Sequence, residues 1–164
     1  MAKEKNKKTE NKKEQTKETP NNAPEQVQMN IIAQYLKDMS FESPNAPDIF
    51  QNQAPINMNM EINININKHE KVKDLFESCL MVRVTSMQEK AIAFIIELEY
   101  AALVQIKSEN EQLVKSVLSK DVPQLLYPYI RQIISNISVQ GGFPAANLAA
   151  INFSHHANLK QDKK

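Results

Sequence analysis

The chain has 164 residues, enough for one ordinary domain with an extension. Hydrophobic residues make up 41% of it, but Trp is absent and Gly occurs only twice, so a core must come from Ile, Leu, Val, Met, Phe and Tyr. A single Cys excludes an intrachain disulfide, no apolar run reaches the roughly 18 residues of a membrane span, and a formal charge of +1 provides no strongly basic fold. That small charge is unevenly spread. Residues 1 to 30 hold seven Lys against five Glu and residues 160 to 164 three Lys against one Asp, which leaves an acidic middle. Neither nucleic-acid binding by the fold nor membrane insertion is expected, and the compartment is expected to be reducing cytoplasm.

Residues 1 to 28 contain one strongly apolar side chain, Val27, among Lys, Glu, Asn, Gln and Thr. They are expected to form a disordered, solubilising leader, because too little can be buried to offset the ordering entropy. Ile31 to Phe41 favours a strand, and SPNAP at 43 to 47 a loop whose prolines hold the backbone extended or turned. INMNMEINININ at 56 to 67 then alternates strictly, with Ile or Met at even positions and Asn at every odd one except Glu61. Period 2 over this length predicts a long strand with one packed and one wet face. Residues 67 to 71 read as a turn, 74 to 88 as a second strand with Phe76, Leu80, Val82 and Val84 inward, and 91 to 106 as a third with Phe94, Ile96, Leu98 and Val104 inward. This is an antiparallel meander.

From Lys107 the period becomes helical. Ser108 with Glu111 resembles a capping box, which predicts helix one over Ser108 to Lys120, ending before Pro123. Pro128 is expected in the first turn of helix two, which ends at Gly141 and Gly142. FPAANLAAINF at 143 to 153 is apolar and irregular, and 157 to 164 is expected to be a disordered basic tail. Strands followed by helices define an α+β fold: a four-stranded antiparallel sheet followed by two helices, with residues 29 to 156 as the domain. Apolar residues on the odd face, such as Leu75, Met81, Ile95 and Leu103, exceed the needs of one layer, so a second copy is expected to cover part of them.

No P-loop, G-x-S-x-G, G-x-G-x-x-G or H-E-x-x-H is present, and neither an enzyme nor a cofactor or metal is expected. Ser154-His155-His156 are neighbours in sequence and seldom face one another, and Cys79 reads as a structural thiol. The Asn column reads as a solvated sheet face. Phe41, Ile49 and Phe50, framed by prolines beside a Tyr- and Ile-rich helix, allow two readings: a loop folded over ordinary core, or an adaptable apolar groove that Met39 can repack.

YLKDMSFESPNAPDIF at 35 to 50 and YPYIRQIISNISVQGGFPAANLAAINF at 127 to 153, with the meander between them, resemble the SecB family of bacterial protein-export chaperones. That resemblance implies a SecB-like fold assembling as a dimer of dimers, with helix one at the contact between dimers and Ile96 and Leu98 helping to set the assembly. It implies an ATP-independent chaperone that holds unfolded preproteins and delivers them to the SecA motor. The client groove would be lined or bordered by Phe41, Pro44, Ile49, Phe50, Tyr127, Tyr129, Ile133, Ile137, Phe143 and Phe153, and SecA would dock on Asp38, Glu42, Ile95 and Glu97. Three features depart from the family pattern: the Lys-rich leader, Ala101-Ala102 where a glycine pair is expected, and a basic C-terminus. Other classes remain open at this stage, namely a structural or adaptor oligomer, or a SecB-like partner of one dedicated protein.

Overall fold

A computed structural model describes residues 27 to 51 and 54 to 155. Most of the expected leader and the tail from 157 onward lie outside these residues. The domain begins slightly earlier than expected, since Val27 packs against the core and strand β1 spans Gln28–Glu42. Strands β2 (Ile56–Lys68), β3 (Leu75–Gln88) and β4 (Ala91–Lys107) follow, as the alternation requires. All pairs are antiparallel and the order is β1-β4-β3-β2, so β1 and β2, consecutive in the chain, form the two opposite edges of the sheet.

The register lines up the two faces. Met39, Leu98, Val82 and Ile62 form one inward row, and one residue further along Ser40, Glu97, Arg83 and Glu61 form an outward row. β2 pairs with β3 without interruption from Ile56 to Lys68, which keeps every Ile and Met of the alternating stretch on the helix side. β1 is irregular at Ile31/Ala33 and Leu36/Asp38, and the extra residue Lys37 returns Asp38 to the outer face. β3 and β4 shift register between Ser86 and Met87, which leaves Ala93 as the bulged residue.

The helices differ from the expected pair. α1 is short, Glu111–Ser116, and its N-cap is Asn110, whose side chain accepts from the Leu113 N–H at 3.2 Å. Ser108 instead accepts from the Asn110 N–H at 3.1 Å, because β4 runs on to Lys107 and the chain must first turn. A π turn, Val117–Asp121, carries α1 without a break into α2, Val122–Gln140. Pro123 takes the first turn, where no N–H donor is needed, and Pro128 sits within the helix. Val122, Leu126, Ile130, Ile134 and Ser138 form a buried stripe at intervals of four, and α2 packs it on β3 and β4.

Residues 143 to 152 have no regular structure, and side chains of α2 tie the segment down. The Ser138 hydroxyl accepts from the Ala146 N–H at 2.8 Å, the Tyr127 hydroxyl donates to the Ala149 carbonyl at 2.7 Å, and Gln124 accepts from the Phe153 N–H at 3.3 Å. The segment thus runs back along the helix and buries Phe143, Ala146, Leu148 and Phe153.

Candidate functional site

The crossover after β1 is hung on the bulge of β4. Ser43 donates to the Ala93 carbonyl at 2.8 Å and Asn45 to the Ile92 carbonyl at 2.9 Å, while the Asn45 carbonyl accepts from the Ile49 N–H and opens a 3₁₀ turn, Asp48–Gln51. Ile49 is thereby driven inward to 5% exposure, and Phe50 is left 49% exposed. Phe143 gathers the aromatic rings: its centroid lies 4.9 Å from Phe94, 5.0 Å from Phe50 and 6.5 Å from Phe41. Helix and loop meet closely at Gly141, where a Cβ would lie 2.2 Å from Phe41 Cζ and would have to displace that ring. Gly142 also takes φ +87°, a conformation that other residues rarely adopt. Beside this cluster is a recess of about 480 Å³ between Ile49, Phe50, Ile56, Met58, Phe94 and Phe143.

From this cluster an apolar ridge of Ile137, Ile133 and Tyr129 runs back along α2 at spacing four, and Tyr129 stacks on Tyr100 at 5.9 Å. Opposite it, β1 turns Phe41, Met39 and Leu36 inward, paired with Ile96, Leu98 and Tyr100. α2 lies over β3 and β4, so this edge keeps open apolar surface: Leu36 is 45% exposed, Met39 36% and Tyr129 47%.

The expected groove residues therefore divide into groups. Phe41, Ile49, Phe50 and Phe143 meet at the recess, while Tyr129, Ile133 and Ile137 form the ridge. Pro44 is exposed in the crossover. Tyr127 and Phe153 differ from expectation. Both are interior, edge to face at 5.7 Å, because the Tyr127 hydroxyl is fastened to Ala149 and lies beside Met60 of β2. Sequence reading missed Leu36 and Tyr100, and the anchoring roles of Ser43 and Asn45.

The outer sheet face is of different chemistry. Glu42 pairs with Ile95, Ser40 with Glu97 and Asp38 with Glu99, so the four expected docking residues share one face of adjacent strands. Glu97 is ion-paired with Arg83 of β3. Further along, Tyr35 and Lys37 of β1 and Asn67 of β2 all donate to the Glu77 carboxylate of β3. Those bonds, from Lys37 first and then Tyr35, hold the Glu77 carboxyl below its ordinary value, and the bond to Glu77 pushes the Tyr35 phenol up to about 12. The Cys79 thiol, 2% exposed, is pushed up to about 11 chiefly by burial and is a poor nucleophile. Among the described residues no three His, Cys, Asp or Glu side chains converge as metal ligands, and no helix is long and apolar enough to cross a membrane.

This fold, an antiparallel sheet half-covered by one long helix, is that of SecB-like chaperones. A solved SecB-like chaperone of Mycobacterium tuberculosis, in complex with a ChAD peptide from the HigA1 antitoxin, superposes with a TM-score of 0.64 at 15% identity over 75% of this chain and 90% of that one. The sequence extends the likeness: residues 22 to 163 match the family described as preprotein translocase subunit SecB. The protein-export protein SecB of Buchnera aphidicola is 38% identical over 133 residues, 77% of this chain and 89% of that protein. That of Sphingopyxis alaskensis is 33% identical over 135 residues, 82% of this chain and 77% of the other. The chain belongs to the SecB family.

Proposed function

We propose that this chain is an ATP-independent export chaperone of the cytoplasm that holds unfolded preproteins on the apolar recess and ridge and delivers them to SecA on the outer sheet face. The observation that carries this reading is the set of large apolar side chains left unsealed around a fixed frame: Met39, Phe50, Met58 and Tyr129 are 36 to 49% exposed. Ordinary core would enclose them. An extended client advances about 3.3 Å per residue and offers alternate side chains to such a surface without any sequence being read. Each large side chain that it buries contributes roughly 1.5 to 3 kcal/mol, less the ordering of the client.

Single grooves are therefore weak, and the proposed particle is a dimer of dimers in which copies cover the Ile32 end of the β1 edge and α1. Several grooves on one client raise avidity by about 10² to 10⁴. Even at about 100 times its dissociation constant the chaperone shifts folding by only about 2.7 kcal/mol, against roughly 5 to 15 kcal/mol for a folded domain. Capture must precede folding, and it needs kinetic competition rather than nucleotide. Replacing Phe50, Met58 and Tyr129 together with Ser should abolish the delay that the chaperone imposes on a client's refolding, with native mass unchanged. A delay equal to that of the unsubstituted protein refutes the groove.

A further inference from the structure

The alternating strand places Asn at every outward position except one, and the register gives that exception a setting. Glu61 of β2 stands directly opposite Arg83 of β3, and Arg83 stands directly opposite Glu97 of β4 on its other side. Neighbours in such a row have Cβ atoms about 5 Å apart, so one guanidinium lies within reach of a carboxylate on either hand. Arg83 donates to Glu97, and the two side chains are 48% and 52% exposed. Glu61 is exposed on the other side.

If the outer face docks SecA, with Glu97 among its carboxylates, the group that a cationic partner needs is already occupied by a cation of the chaperone itself. A guanidinium keeps its charge at any working pH, so docking must displace it rather than neutralise it. We propose that Arg83 is a two-position cation, resting on Glu97 in the free chaperone and passing to Glu61 when a Lys or Arg of the partner takes Glu97. Glu61 is then a positioning residue: it acts through Arg83 and makes no contact with the partner. Asn, the residue at the other outward positions, carries no charge and cannot receive the guanidinium. This inference rests on the docking proposal above, and it adds β2 and β3 to a surface otherwise confined to β1 and β4.

The test is the affinity of the intact chaperone for SecA at low salt, by titration calorimetry, for the unsubstituted protein, Glu61→Asn, Arg83→Gln and the double variant. Glu61→Asn should weaken binding about two- to five-fold, the scale of one exposed ion pair. Arg83→Gln removes one such pair from both the free and the docked chaperone and should leave the affinity within about two-fold of the unsubstituted protein, and adding Glu61→Asn to Arg83→Gln should change nothing further. A loss in the double variant equal to that of Glu61→Asn alone would mean that Glu61 touches the partner, and overturns the exchange; so does an unchanged affinity of Glu61→Asn. Glu61→Gln, closer in shape, should reproduce the Asn result, and both variants should delay client refolding normally, which separates the effect from any loss of fold. Undiminished SecA binding by Glu97→Lys would instead overturn the docking reading, and the exchange with it.

Discussion

The inner row of Met39, Leu98, Val82 and Ile62 and the outer row of Ser40, Glu97, Arg83 and Glu61 lie one residue apart on the same four strands. On the first, Leu98 and Val82 are sealed at 2% exposure, while on the second, Arg83 and Glu97 are about half exposed. A single step along the backbone thus separates packing from a charged, solvated surface. Because a pleated strand sends alternate side chains to opposite faces, each face can be altered with little direct effect on the other. The sheet interior carries stability, its uncovered edge carries apolar surface, and its outer face carries charge.

That separation can be broken most forcefully from inside. Ile134→Ala, at a fully buried position of α2, should lose roughly 2 to 5 kcal/mol in urea unfolding at fixed protein concentration, more than any substitution on the outer face. Next in size, Ser138→Ala removes the acceptor of the buried Ala146 N–H and should lose about 1 to 3 kcal/mol by the same measurement, loosening the segment after the helix. Gly141→Ala should fall between fold and site. Its new methyl displaces the Phe41 ring, and we expect a loss of about 1 to 3 kcal/mol in urea unfolding together with weaker delay of client refolding.

The smallest effect belongs to the outer face. Glu77 is held below its ordinary value in the folded chain, so its contribution to stability is complete above the unfolded value near 4.3 and is lost as pH falls through the folded value. Tyr35 is shifted upward to about 12, so its contribution is complete below pH 10 and is lost as pH rises toward 12. Glu77→Gln should therefore cost less than about 1 kcal/mol at neutral pH and flatten the acid limb of the stability profile, and Tyr35→Phe should flatten the alkaline limb. A loss at Glu77 as large as that at Ile134 would erase the distinction between the faces.

The strands were legible because their signal is local. Six alternating Ile and Met residues admit one pleat and one register parity, and β2 follows them from Ile56 to Lys68. The helix boundaries were not, since Pro123 and Pro128 both suit a first turn in isolation, and the π turn that joins α1 to α2 leaves no mark in sequence. The site divides in the same way. Phe41, Ile49 and Phe50 announced themselves as apolar residues in a proline-rich loop. Tyr127 resembles Tyr129 in sequence, but two residues of helix turn it from the open ridge to the interior. Ser43 and Asn45 read as turn formers, and nothing local identifies their partners, because the carbonyls they hold belong to a bulge about fifty residues away.

Those two anchors decide how the recess can change shape. The chain beneath Phe50 is tied to the start of β4 and to its own 3₁₀ turn, so the wall of the recess and the sheet edge form one body. Breadth of accommodation then comes from rotation about the side-chain bonds of Phe50 and Met58, not from a flap that opens. Under the proposed function, clients of different shape would meet a wall that re-forms on the nanosecond scale of rotamer exchange, without the slower opening of a gate.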